Sequence, residues 1–380
     1  MRIVIDYRPA LRGRTGVGEY VYQLARAWRR EYPDDELVLF TSSWKDRPAA
    51  ALARDIPDAR ISDHRIPVQL LNAMWHHVEW PSVETLIGEA CDVAFSPHPL
   101  LLPARAAQVV MVHDLNFLTH PERTTREIKR DYPRLAGAHA HRAGAVVVPS
   151  AFTAREVQDR LQVPHEQIAV CPPGLPDWRG AQRHFDRDGY LLFMGTIEPR
   201  KNVPGLLDAY SRLVARRLAR SGVEGSQVPA LMLAGGADAA AHDVLQRVSE
   251  PPLAGRVTHL GYVADTDRER VYAGARALVL PSFEEGFGMS ALEAMSLGIP
   301  VVVSDRGALP ALVGDAGLVI DPANPDALTE ALDRITSDDV LAEALSARGR
   351  ARAATFSWRH TASAVRAACE MAIRRRRVNR

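Results

Sequence analysis

Short apolar runs alternate with helical patterns along most of this chain, and the alternation starts twice. Residues 2–6, 37–41, 92–96, 109–113, 145–150 and 168–171 read as strands, most of them apolar at nearly every position. Strands covered on both faces need such runs, whereas a half-exposed strand would alternate apolar with polar. Between them, 18–31, 124–143 and 153–161 carry helical periodicity, the last with Ser150 or Thr153 as its N-cap. A second series of strands follows at 190–195, 230–234, 257–261, 277–280, 301–304 and 318–320. Repeated strand-helix units of this kind predict an α/β fold with two doubly wound, Rossmann-like parallel sheets.

At 380 residues the chain exceeds one ordinary core, so two domains of about 150–200 residues are expected. Their expected bounds are 1–176 and 190–357, with a polar linker at 177–189 and a closing helix at 358–380 that is free to pack back on the first domain. A content of 47% hydrophobic and 24% charged residues is that of a soluble globular protein. Net charge is only +1, which offers no electrostatic footprint for nucleic acid, and none is expected as a partner. Cys91, Cys171 and Cys369 are too widely spaced for a metal or disulfide framework and suit a reducing cytoplasm. No signal peptide precedes the strand at 2–6, and no apolar run reaches the roughly 18 residues of a membrane span. The four arginines at 374–377 read as a solvated helix end, with weak peripheral attraction to an anionic membrane as the alternative.

Doubly wound sheets bind ligands beyond the C-terminal ends of their strands. In PSFEEGFGMSALEAMSLG at 281–298 a strand gives way to two adjacent acids, a Gly-Phe-Gly turn and an amphipathic helix, with Glu285 and Glu293 eight residues apart. The unpaired N–H groups of Phe287, Gly288 and Met289 and the helix dipole suit an anion, and carboxylates suit hydroxyls. A ligand with both groups, such as a sugar nucleotide, is therefore expected. The plain alternative is that Glu285 only favours the dipole and that Glu293 is a solvated helix position.

Three further strand ends carry chemistry. The loop at 14–19 bears Gly16 and Gly18 before a helix, but it lacks the dinucleotide fingerprint, so phosphate contact and a plain turn both remain open. His113 stands beside Asp114 at the tip of the strand at 109–113. Arg200 and Lys201 stand together before another helix, a cationic pair suited to a diphosphate leaving group, with Glu198 as a salt-bridge partner. His76, His77, His139 and His141 have no acids at convincing metal-site spacing. Asp265 and Asp267 read as residues capping the next helix.

GTIEPRKN at 195–202, PSFEEGFGMSALEAMSLGIPVVVSD at 281–305 and GDAGLVIDP at 314–322 closely resemble the large retaining glycosyltransferase family of the GT-B fold usually called family 4. TGVGEY at 15–20, VHDLNFLTHPE at 112–122 and VVVPSAFTAREV at 146–157 resemble its mannosyltransferase branch, which builds surface polysaccharides. The resemblance covers nearly the whole chain and implies two Rossmann-like domains facing a central cleft. It implies transfer of a hexose, with GDP-mannose the favoured donor and a UDP-hexose the alternative, to a glycan or lipid-linked acceptor without a metal or other cofactor. It further implies that Arg200 and Lys201 hold the diphosphate, that Glu285 binds hexose hydroxyls, and that the N–H groups of Phe287, Gly288 and Met289 contact hexose or diphosphate. Glu293 would take the ribose hydroxyls, Gly16 and Gly18 would close on the phosphates from the first domain, Gly195 would belong to the donor-binding site, His113 would lie near the sugar, and Tyr262 and Val263 would border the base.

Several positions depart from the family's pattern: Ala311 after Leu309 and Pro310, Ser290 where proline is common, and Pro173 in Pro-Pro-Gly at 172–174. None removes a proposed catalytic group. A non-catalytic sugar-nucleotide binder and an epimerase of the same fold are the readings from other classes. For the acceptor, the segment with Met74, Trp75, His76, His77 and Trp80 reads as the packed face of a helix before it reads as a cleft or a membrane contact.

Overall fold

The computed structural model describes residues 1–11, 16–120, 126–178, 184–221, 228–237 and 241–378. The chain forms two compact units, Met1–Gly174 with Ser357–Arg380, and Leu175–Phe356. In the first, strands β1 (Arg2–Asp6), β2 (Glu36–Ser42), β3 (Arg60–His64), β4 (Val93–Ser96), β5 (Ala107–Met111), β6 (Ala145–Val148) and β7 (Ile168–Val170) form a sheet in the order β3-β2-β1-β4-β5-β6-β7. In the second, β8 (Tyr190–Met194), β9 (Leu231–Ala234), β10 (Val257–Gly261), β11 (Ala275–Leu280), β12 (Val301–Ser304) and β13 (Gly317–Ile320) follow the order β10-β9-β8-β11-β12-β13. Every strand pair is parallel. Strand order reverses direction between β1 and β4 and again between β8 and β11, which opens a crevice at each reversal.

The inner strands are buried on both faces, as their unbroken apolar runs require: β4, β6, β11 and β12 are buried at each position. β3 escapes a periodicity reading because it is an edge strand, RISDH, whose single buried position is the polar Ser62. β5 ends at Met111, so His113 lies beyond the strand tip rather than at its last position. The helix Ala151–Leu161 is capped by Ser150, whose Oγ accepts from the Thr153 N–H at 3.1 Å. Within 177–189, Phe185 is buried in the core of the second unit and Trp178 packs on Tyr272, while 179–183 lie outside the described residues.

The Trp- and His-rich stretch forms the helix Val68–His77, which buries Leu71 and Trp75 one turn apart. Trp75 lies 5.5 Å from Phe40, and its indole N–H donates to the Pro81 carbonyl at 2.9 Å. Trp80 is no core residue, being 60% exposed.

The final helix, Trp358–Val378, packs on the helix Val17–Glu31 and across β4 to β7 of the first unit. Its buried face, with Ala362, Val365, Ala368, Cys369 and Ala372, has small side chains that admit close approach. Arg366 clamps it to Asp35 at 2.9 Å. Burial raises the Asp35 carboxyl's pKa, but its bonds to Arg366 and the N-terminal ammonium outweigh that and hold it lowered. Gly144, just before β6, touches this helix so closely that a Cβ there would stand 2.6 Å from the Ala372 Cβ and 2.7 Å from its Cα. Gly144→Ala should therefore destabilise by about 1–3 kcal/mol and lower the melting temperature by several degrees. An unchanged calorimetric melting temperature would show that the helix does not press on this strand.

Candidate active site

The second unit's site grows from the two strands that flank its crevice, β8 and β11. After β8, Gly195 donates its N–H to the Ala234 carbonyl at 2.8 Å. Gly235 then passes so close that a Cβ would lie 2.0 Å from the Gly195 carbonyl oxygen, and its φ of +143° independently favours glycine. The Gly235 N–H in turn donates to the Gly261 carbonyl at 2.8 Å. The ends of β8, β9 and β10 are thus laced together by glycine backbones. Beyond Gly261, Tyr262 is 53% exposed and Val263 rests on the core.

The loop from β8 continues into a single helical turn, Pro199–Lys201, which Asn202 ends in a left-handed conformation with φ 54°. Asn202 is pinned by donation to the Pro322 carbonyl at 3.0 Å, and the helix Val203–Ser221 follows. This turn sets Arg200 and Lys201 against the loop after β11, where the Phe283 N–H donates to the Arg200 carbonyl at 2.7 Å.

Glu285 is the centre of the arrangement. Its backbone carbonyl accepts from the Ala308 N–H at 2.9 Å, and Gly307, at φ +64°, backs it so closely that a Cβ would lie 2.3 Å away. Its Oε1 takes the Lys201 ammonium and the Ser282 hydroxyl, the latter at 3.0 Å, while its Oε2 lies 3.5 Å from the Arg200 guanidinium. Arg200 also donates to the Glu284 carbonyl at 3.2 Å and pairs with Glu198 at 2.8 Å. Lys201 is 9% and Glu285 6% exposed. Burial raises the Glu285 pKa, but the Lys201 and Arg200 charges outweigh it and hold the carboxylate ionised. Burial lowers the Lys201 pKa, and Glu285 offsets this in part.

The helix Met289–Ser296 starts at Gly288, whose φ of +103° and 2.5 Å approach to the Leu309 side chain both call for glycine. Its carbonyl accepts from Ala291 and Leu292, whereas the N–H groups of Phe287, Gly288 and Met289 find no acceptor among the described residues. These are the open donors of a helix start. Glu293 is not the solvated helix position that one reading allowed. It is 2% exposed, with Oε2 accepting from the Tyr272 hydroxyl at 2.7 Å and Oε1 bound by Arg268. Each oxygen keeps one lone pair for a ligand. Asp265 and Asp267 sit in the first turn of the helix Asp265–Ala273 and pair with Arg268 and Arg270, but the N-cap itself is Ala264.

In the first unit, Gly16 starts the helix Val17–Glu31 with φ +52°, and a Cβ there would meet no atom within 4 Å among the described residues, while residues 14 and 15 of that loop lie outside them. Gly18 has a packing reason instead, since a Cβ would stand 2.6 Å from the Pro9 carbonyl oxygen. His113 lies edge-on to Tyr20 at 5.5 Å, with its Nε2 buried and unpartnered among the described residues. Burial pushes its pKa down to about 4 despite Asp114 and the Pro97 backbone, so the ring is neutral near pH 7. His76, read as too poor in acids for metal, binds Asp131 at 2.8 Å, and His139 accepts from the Leu101 N–H at 2.9 Å.

Sequence reasoning passed over Ser282, which is fully buried against Glu285, and over the edge shared by Asp6, Arg8 and His98. Asp6 and Arg8 form two parallel bonds of 2.8 and 2.7 Å. Burial lowers the His98 pKa to about 4, against the Asp6 charge that raises it. The signal was available: Pro-His-Pro follows β4 at the first unit's crevice as His-Asp follows β5.

Residues 176–352 match the family model for Glycosyl transferases group 1, and residues 14–179 match that for Glycosyltransferase Family 4. Over 94% of this chain and 96% of the relative, the sequence is 31% identical to O-antigen chain mannosyltransferase B of Escherichia coli. The chain belongs to the group 1 glycosyltransferases. Solved structures agree on the fold of this glycosyltransferase. Sucrose-phosphate synthase from Thermosynechococcus elongatus superposes with TM-score 0.71 at 22% identity, covering 95% of this chain and 96% of that one. HepE of Anabaena, in complex with UDP-glucose, does so with TM-score 0.69 at 17% identity, covering 96% and 97%. Its two parallel sheets are accordingly those of the GT-B architecture.

Two outcomes follow for this glycosyltransferase. Removing one member of the Lys201–Glu285 pair strands a buried charge, so Lys201→Met and Glu285→Leu should each cost about 3–5 kcal/mol in urea unfolding, and the double variant less than their sum. Strictly additive losses would mean that the pair is not coupled. His98 and His113 titrate near 4 when folded and near 6.5 when unfolded, so the unfolded chain binds more protons between those values. Their stabilising contribution is complete above pH 6.5 and is lost as pH falls towards 4. Melting temperatures should decline across that window, and less steeply in His98→Gln/His113→Gln; an equal slope in both proteins would contradict the shifts.

Proposed function

We propose that this hexosyltransferase moves mannose from GDP-mannose, with retention of configuration, to a glycan or lipid-linked acceptor in the synthesis of a surface polysaccharide. The observation that carries the donor chemistry is the grouping of Arg200, Lys201 and Glu285 beside the open N–H groups of 287–289 at one strand edge. The choice of mannose is supported by the name and the nearly full-length match of the Escherichia coli mannosyltransferase.

On this reading the diphosphate takes over Arg200 and Lys201, and Glu285, released from Lys201, accepts bonds from hexose hydroxyls while Ser282 keeps it oriented. As the glycosidic bond breaks, negative charge grows on the diphosphate. Fixed cations and backbone N–H dipoles stabilise that charge more than they stabilise the bound ground state. The acceptor hydroxyl attacks from the face the diphosphate leaves, and a phosphate oxygen takes its proton. The protein then supplies no nucleophile and needs no metal. Tyr272 and Arg268 hold Glu293 for the ribose, Gly195, Tyr262 and Val263 border the nucleotide, Gly16 and Gly18 approach the phosphates, and a neutral His113 offers a hydrogen bond near the transferred sugar. The reaction takes place in the cytoplasm, where nucleotide sugars are made. Among the described residues no helix is long and apolar enough to cross a membrane.

The test is nucleotide release in EDTA from GDP-mannose and from UDP-glucose, with and without a glycan acceptor. Acceptor-dependent GDP release without metal is expected, and Lys201→Ala and Glu285→Ala should each lose roughly 100-fold in turnover, about 3 kcal/mol at the transition state. UDP release instead would move the donor to a UDP-hexose. Sugar interconversion without an acceptor would make the chain an epimerase, and no release from any donor would make it a binder.

A further inference from the structure

A row of aromatic rings joins the start of the final helix to His113. The Tyr20 ring lies edge-on to His113 at 5.5 Å, with the planes at 84°, and edge-on to Trp358 at 5.3 Å, with the planes at 72°. Both separations fall in the range where edge-to-face rings attract one another. Tyr20 is 3% and Trp358 7% exposed, so neither ring has room to swing into solvent.

The far end of the row is anchored by backbone. Gly174 packs on Trp358 so closely that a Cβ there would stand 2.1 Å from the Trp358 backbone nitrogen and 2.7 Å from its Cγ. One turn further, the Thr361 hydroxyl donates to the Pro172 carbonyl at 2.6 Å, which fastens the helix start to the segment after β7. At the near end the Thr153 hydroxyl donates to the His113 carbonyl at 3.5 Å, and the Pro97 backbone stands within reach of the imidazole. The Tyr20 hydroxyl, the Trp358 indole N–H and the His113 Nε2 are all buried without a partner among the described residues. Ring edges rather than hydrogen bonds therefore hold the row together, and Nε2 is left open for a ligand.

We infer that Tyr20 and Trp358 are positioning residues for His113, through which the final helix sets the direction in which Nε2 meets a hydroxyl of the transferred sugar. The inference rests on the proposed place of His113 beside that sugar. A hydrogen bond to a reacting sugar is directional, and a group misplaced by about 1 Å costs up to ~100-fold in rate without any loss of contact residues. Trp28 supplies the comparison. It lies on the same helix as Tyr20, is fully buried and has an unpartnered indole N–H, but its ring pairs with Tyr32 at 5.7 Å and with no residue of the site.

The test pairs steady-state kinetics of the full chain with nitrogen NMR of the His113 ring, its resonances assigned by their loss in His113→Gln. Tyr20→Leu should lower kcat about tenfold and Trp358→Leu about threefold, with the donor KM within about twofold and the His113 resonances displaced in both. Tyr20→Phe and Trp358→Phe keep the ring edges and should restore kcat and resonances together. Trp28→Leu should lower the melting temperature as far as Tyr20→Leu does, yet leave kcat and the His113 resonances as they are. Unmoved resonances in both leucine variants, or the same loss of kcat in Trp28→Leu, would overturn the inference. If Tyr20→Leu does not fold, Trp358→Leu reads the same row from its other end. The NMR needs no donor, so failure of the wild-type chain to release nucleotide would sink the proposed reaction while the resonances still decide whether Tyr20 and Trp358 orient the ring.

Discussion

The buried pair of Lys201 and Glu285 is the constraint around which the second unit is arranged. Two loops from neighbouring strands, 84 residues apart in sequence, must present opposite charges to one point with almost no solvent between them. Such a pair is tolerable only if each partner is held rigidly, because desolvating two ions costs more than a loose contact returns. Asn202 turning out of the single helical turn, Ser282 donating to the carboxylate, and Gly307 backing Glu285 without a side chain are the means by which that rigidity is obtained.

Much of this was legible beforehand because the sheets are parallel. Strands buried on both faces must be largely apolar, so β1, β6, β8, β11 and β12 stand out in the sequence, whereas the order of strands within each sheet is given by the structure alone. β3 was not legible because an edge strand is under no such demand, and RISDH looks like a loop. The helix Val68–His77 has the packed face expected of it at Leu71 and Trp75, but its aromatic and imidazole groups do not show in sequence that Trp80 lies outside that face.

The site was legible in its charges but not in its contacts. Arg200, Lys201 and Glu285 declare themselves by residue type and by position at strand ends. That they bind one another depends on the adjacency of β8 and β11, which is a property of the sheet and not of either loop. Gly18 shows the converse: it sits in a glycine loop before a helix, yet the Pro9 carbonyl explains its lack of a side chain without any ligand. His98 and Ser282 were missed because a lone histidine and a lone serine have no distinguishing pattern until the fold buries them beside a charge.

On the proposed reading, the pair also sets what the site can accept. A ligand that draws Glu285 towards its hydroxyls leaves Lys201 without its counter-ion, in a setting where burial already disfavours the ammonium. A free sugar offers no anion to take the place of that carboxylate, and a free diphosphate leaves Glu285 facing a second negative group. Only a molecule with hydroxyls and diphosphate on adjoining atoms satisfies both members at once. Selectivity for a nucleotide sugar over its separated parts thus follows from the cost of parting two buried charges, and not from any contact specific to one hexose.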